Sequence, residues 1–154
     1  PYPDPYARGC FIGMSLRHSK KHHTRAVLEG VSYGLNDSLS LMRDLGIKPN
    51  EIILSGGGSR SALWKQMLAD VFSTRCTMVN ALEGAAYGAA LLAAVGVGAF
   101  TSVKEACRSC IQKTETVNPD SDQETYQKHY PIYQSLYPSL KTQFAQIADV
   151  ITRN

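Results

Sequence analysis

Three consecutive glycines, Gly56, Gly57 and Gly58, set between Ser55 and Ser59 with Ser61 close behind, are the residues of this chain best suited to hold a ligand. A turn with no Cβ atoms offers bare peptide, so a flat nucleobase or a ribose can lie where any side chain would block it. Nucleotide binding is therefore the first expectation. The run is not a phosphate loop, because no Gly-Lys-Ser/Thr ending follows, and contiguous glycines do not make the spaced dinucleotide fingerprint. A tight strand-to-helix turn that binds nothing is the competing reading.

Other reactive side chains are weaker candidates. Cys107 and Cys110 form a Cys-x-x-Cys on a segment, residues 102–112, that reads as a helix, but no second pair or ligand-spaced histidine accompanies them. Reduced, buried thiols in a cytosolic protein are expected, and no metal site. Arg25 and Glu29 lie one helical turn apart, with the basic residue first, the weaker order for such a pair. A structural bridge is expected there, and a cap or bridge at Asp70 rather than a magnesium ligand. The histidines, three of them within residues 17–23, have no nucleophile or metal partner at readable spacing, so no catalytic residue is assigned.

These groups need a scaffold, and 154 residues with 44% hydrophobic content suffice for one domain with a core. A net charge of +3 is small, and the basic patch Arg17 to His23 reads as a solvated loop. Without aromatic or glycine interleaving it does not argue for nucleic acid. The longest apolar stretch, Ala85 to Phe100, is mainly Ala and Gly and falls short of a membrane span. With no signal peptide to be read either, a cytoplasmic protein is expected.

Along the chain, the prolines of residues 1–6 hold an extended loop. Cys10 to Gly13 reads as a short strand, and Thr24 as the N-cap of a long helix whose stripe is Leu28, Val31, Leu35, Leu39 and Met42, ended by Gly46 and Pro49. Ile52, Ile53 and Leu54 form a strand, then Leu63, Trp64, Met67, Leu68 and Val71 give a helix a broad buried face. A second short strand, Thr77 to Val79, leads into a small-residue helix, Ala85 to Ala94, where Gly84 and Gly88 promise close packing. Alternation of this kind predicts an α/β architecture with parallel pairing. Residues 114–117 read as an edge strand. A final tyrosine stripe, Tyr126, Tyr130, Tyr133 and Tyr137, continues through Leu140, Phe144 and Ile147 on a helix that Pro131 and Pro138 should kink or divide. Packing across the domain is its expected use.

Four segments in this order resemble the C-terminal part of FGGY-family carbohydrate kinases, and most closely the members acting on xylulose. They are Asp4-Pro5-Tyr6-Ala7-Arg8-Gly9 with Phe11 and Gly13, the run Arg25 to Gly30, the glycine turn continued by Trp64 to Asp70, and Glu83 to Ala90. The resemblance covers nearly the whole chain. It implies a partial actin-like, ribonuclease-H-like ATPase fold, with residues 1–154 a single region of the nucleotide-binding domain. The implied reaction transfers the γ-phosphoryl group of ATP to a ketopentose such as D-xylulose, with glycerol, ribulose or another polyol as alternative acceptors. A stand-alone α/β nucleotide-binding or interaction module is the rival from another class.

Carried over residue by residue, Gly56, Gly57, Gly58, Ser59 and Ser61 become the ATP-binding residues, with Gly57 and Gly58 facing adenine or ribose and Ser61 bonding the base. Relatives often carry Asn at the position of Ser61. The resemblance places the catalytic Asp, the phosphate loops, the Mg2+ ligands and most of the sugar pocket upstream of Pro1, so the chain by itself is expected to be inactive. It is also expected to expose sheet edge and apolar surface. A homodimer through the C-terminal helix is among the partners this allows.

Overall fold

A computed structural model describes residues 2–81 and 83–152. Pro1, which opens the proline-rich loop of the sequence reading, lies outside them. The elements run α1 (Lys20–Asp44), β1 (Ile52–Leu54), α2 (Ala62–Phe72), β2 (Cys76–Val79), α3 (Gly84–Gly96), α4 (Val103–Cys110), β3 (Lys113–Val117) and α5 (Gln123–Thr152). They fall into two compact units, Lys48–Gln123 and Pro1–Ile47 with Glu124–Asn154.

The unit Lys48–Gln123 carries a sheet in the order β1-β2-β3. β1 and β2 pair in parallel, with Ile52 opposite Cys76 and Leu54 opposite Met78. β3 is the edge strand expected, but it joins β2 antiparallel, with Cys76 opposite Val117. Parallel pairing is thus confined to the two strands linked through α2, because that crossover carries the chain back to start β2 at the same end as β1. Ser61 starts α2 by accepting the Trp64 N–H at 3.3 Å, and the helix ends at Ser73 in the left-handed region, φ 50°.

Met67, Leu68, Val71 and Phe72 enter the core, but Leu63 is 51% exposed, contrary to the predicted stripe. In its stead Lys65 and Asp70 are buried. Partners explain both: Lys65 pairs with Glu115 on β3, while Asp70 accepts from Gln66 at 3.0 Å and from the Asp120 N–H at 2.7 Å. Asp70 therefore bridges, pinning the segment that follows β3. The close packing expected along α3 occurs at Gly84, whose missing Cβ would stand 3.0 Å from Ser55 Oγ, and not at Gly88, which has nothing within 4 Å.

In the other unit α1 begins earlier than predicted. Its N-cap is Ser19, and Thr24 lies inside the helix, where its hydroxyl donates to the Lys20 carbonyl at 3.1 Å. Histidines explain the shift, since His18 Nδ1 accepts the Ser15 N–H at 2.8 Å and His22 Nδ1 the Ser19 N–H at 3.0 Å. Four of the seven residues of the basic patch read as a loop, Lys20 to His23, are therefore the first turn of a helix. Residues 10–13 form no strand; without a neighbouring strand to pair with, an apolar run does not become one.

The buried face of α1 also departs from its apolar stripe. Val31 is 46% and Leu35 48% exposed, while Ser32, Tyr33, Asn36, Asp37 and Leu39 are buried. The partner decides this, because α5 presents hydroxyl-tipped rings. Tyr33 meets the rings of Tyr126, Tyr130 and Tyr133 at centroid distances of 6.1, 5.8 and 5.2 Å. Tyr130 donates to Asp37 Oδ1 at 2.6 Å and Gln134 donates to the same oxygen at 3.2 Å. Burial, with Asp37 adding to it, pushes the Tyr130 hydroxyl up to about 12. Arg25 bonds Glu29 at 2.9 Å and the Tyr126 hydroxyl at 2.8 Å, so the pair ties α1 to α5.

Pro131 and Pro138 do not divide α5, which runs unbroken from Gln123 to Thr152. Rings on both sides of Pro131, those of Tyr130 and Tyr133, rest on Tyr33 and hold the helix across the missing donor.

Candidate nucleotide-binding turn

The chain leaves the C-terminal end of β1 at Ser55 and enters a short 3-10 turn, Gly57–Arg60, before α2. In parallel α/β sheets this end of the strands is where connecting loops form ligand crevices. The start of α3 joins it there: a Cβ on Gly84 would lie 3.5 Å from Ser55 Cβ. Both strand-to-helix junctions of the parallel pair thus converge at the C-terminal end of the strands.

The three glycines of the turn stand in different surroundings. Gly56 adopts φ 89°, ψ −178°, a region that side-chain-bearing residues essentially do not visit. Gly57 is exposed, and a Cβ built on it would meet nothing within 4 Å. Gly58 is covered, its Cβ position lying 2.8 Å from Cζ3 and 2.9 Å from Cε3 of Trp64. A Cβ on Gly56 would also meet nothing within 4 Å, but Gly57 is the exposed one of the three, with a bare backbone and room for a ligand.

The serines brace this loop. Ser59 bonds the Gly56 carbonyl twice, through its N–H at 3.1 Å and its hydroxyl at 2.7 Å, and the Ser61 N–H donates to the Gly58 carbonyl at 3.2 Å. Ser61 is exposed. Its oxygen accepts from the Trp64 N–H, which leaves the hydroxyl proton able to donate outward. Neither Trp64 beneath Gly58 nor Gly84 beside Ser55 was singled out for the turn by sequence reasoning. For Trp64 a signal existed, since a ring three residues past an N-cap serine falls one helical turn back toward the loop.

Next to the turn is a hollow of ≈ 400 Å³ that Ser55 and Gly84 line together with Ile53, Val79, Leu91 and Val103. Its walls are apolar and supply no cation for phosphates. Among the described residues no group of three or more His, Cys, Asp or Glu is arranged to hold a metal. Asp70, the carboxylate weighed for magnesium, is 2% exposed with one oxygen already bonded to Gln66 and Asp120. These residues do not fit a magnesium ion. The cysteines are free thiols, and burial pushes Cys76 up to about 12, helped by Asp70. No helix is long and apolar enough to cross a membrane among the described residues.

Residues 1–97 match the FGGY family of carbohydrate kinases, C-terminal domain. The chain belongs to this family. A xylulose kinase of Staphylococcus epidermidis is 35% identical over 97% of the chain, and a gluconokinase of Bacillus subtilis 33% identical over 97%. Among solved structures, the xylulose kinase from Rhodospirillum rubrum superposes with a TM-score of 0.77 at 33% identity, covering 92% of this chain and 29% of that one. The chain spans about 30% of the length of the curated xylulose kinase it matches. Its fold is that of a part of these actin-like kinases, as the resemblance implied, within the α/β class expected from the strand and helix order.

Proposed function

We propose that this stretch is the nucleotide side of an ATP-dependent sugar kinase, with Gly56, Gly57, Gly58, Ser59 and Ser61 forming the adenosine subsite. The observation that carries the reading is Gly57, whose bare and exposed backbone stands at the C-terminal edge of the parallel strands with open space around it. Its peptide receives the base or ribose, Gly56 gives the loop the bend that turns it outward, and the Ser61 hydroxyl donates to a ring nitrogen. ATP supplies the phosphoryl group that passes to a sugar hydroxyl. A ketopentose such as D-xylulose is the acceptor that the xylulose kinase relatives support; the gluconokinase relative supports a sugar acid as the second reading.

Phosphoryl transfer depends on a positioned base, donors around the phosphates and charge neutralisation. The described residues offer the adenosine subsite and no metal cluster. The 154-residue chain by itself is therefore expected to release ADP only at background rate with ATP and D-xylulose, in a coupled assay.

Binding is expected to be weak and similar for ATP and adenosine. Gly57→Val should abolish it by placing a branched side chain on the contact surface. Chemical-shift titration of wild type and G57V with both ligands checks this. Retained binding in G57V, or a strong preference for ATP, would move the site away from the turn.

A further inference from the structure

Trp64 touches the turn in two ways. The six-membered edge of its indole covers the Cβ position of Gly58 at 2.8 and 2.9 Å, and its backbone N–H donates to the Oγ of the N-cap Ser61 at 3.3 Å. A residue without a Cβ has the widest backbone freedom, so a run of glycines needs an external restraint to present one surface. Hydrogen bonds brace Gly56, through Ser59, and the Gly58 carbonyl, through the Ser61 N–H. Packing on the Gly58 Cα comes from the ring.

We propose that Trp64 is a positioning residue for the turn: the indole holds Gly58 in one conformation and thereby fixes the peptide plane that Gly57 offers to adenosine. The proposal rests on the adenosine reading of that turn. It makes Gly58 a glycine on account of Trp64 and Gly57 a glycine on account of the ligand. Ligand at Gly57 and fluorescence at Trp64 are then coupled, and because the chain has one tryptophan, intrinsic emission reports occupancy of the turn.

Amide hydrogen exchange on the ligand-free chain tests the restraint separately from ligand binding. In Trp64→Ala the Ser59 and Ser61 amides should exchange about tenfold faster while Thr77 in the central strand keeps its rate, the pattern of a local opening. Trp64→Phe, which keeps an aromatic face, should retain most of the protection and covers the case in which the alanine variant does not fold. Unchanged exchange at Ser59 and Ser61, or equal acceleration at Thr77, would overturn the proposal. Adenosine affinity, read from the Gly57 amide signal, should fall about tenfold in Trp64→Ala and recover in Trp64→Phe if the ring positions the peptide. Equal affinity in wild type and Trp64→Ala would also overturn it. Should the wild-type Gly57 and Gly58 signals ignore adenosine, the adenosine subsite is wrong, and the exchange rates still decide whether Trp64 holds the turn.

Discussion

The glycine turn after β1 and the helix pair α1 with α5 solve opposite problems. At the turn, side chains are kept away from Gly57 so that peptide is presented to the outside. Between the helices the interior is filled with polar-tipped side chains: Tyr33 packs its ring among three others, while the oxygens of Asp37, Tyr126 and Tyr130 find hydrogen-bond partners. In the first case residue type predicts the outcome, because lack of a Cβ is a local property. In the second, the buried face depends on what the partner helix offers, and hydrophobic periodicity misjudged it.

The comparison breaks most sharply at Tyr33. Truncating this residue, which is 7% exposed among three other rings, to alanine should cost about 3–5 kcal/mol of stability in urea or thermal unfolding. A loss well below that would mean the ring stack is not the interior of its unit.

At the turn, Gly56→Ala should cost about 1–3 kcal/mol, since its φ of 89° strains any residue with a Cβ. The same unfolding measurement checks it, and an unchanged midpoint would show that the loop reaches its geometry another way. On the disputed face of α1, Val31→Ser should shift stability by no more than about 0.5 kcal/mol, as for surface positions in general. A larger loss at Val31 than at Tyr33 would restore the apolar stripe as the buried face.

The smallest effect concerns the sheet's own polar support. A hydrogen bond from Lys113, then one from Thr77, hold the Glu51 carboxyl below its ordinary value of 4.5. A carboxylate with a lowered folded-state value stabilises above the unfolded value, and that contribution fades as pH falls through the folded one. Acid unfolding below about pH 4.5 should therefore set in less steeply in Glu51→Gln than in wild type. Identical acid limbs would leave Glu51 without a role there.

Within α2, the sequence placed Met67, Leu68 and Val71 in the core, where they are found, but assigned the face to Leu63 and not to Lys65 and Asp70. Charges are buried only where partners wait, and those partners, Glu115 and the Asp120 N–H, lie 50 residues away in the chain. The proline-bearing helix repeats the lesson: a missing donor at Pro131 is a local fact, whereas the rings that carry α5 across it belong to packing.

Local sterics determined much in advance. The glycine turn, the strand at residues 52–54 and the stop of α1 near Gly46, which adopts φ 85°, follow from which side chains are present and how they are spaced, since backbone freedom and short-range order need no distant neighbour; the family was legible through the resemblance of four motifs. Only the tertiary structure decided which glycine faces the outside, which face of α1 meets α5, and that Lys65 and Asp70 rather than Leu63 turn inward on α2. Those outcomes depend on contacts that exist only after folding: a charge is buried only where a partner stands, and a helix face only when another surface fits it.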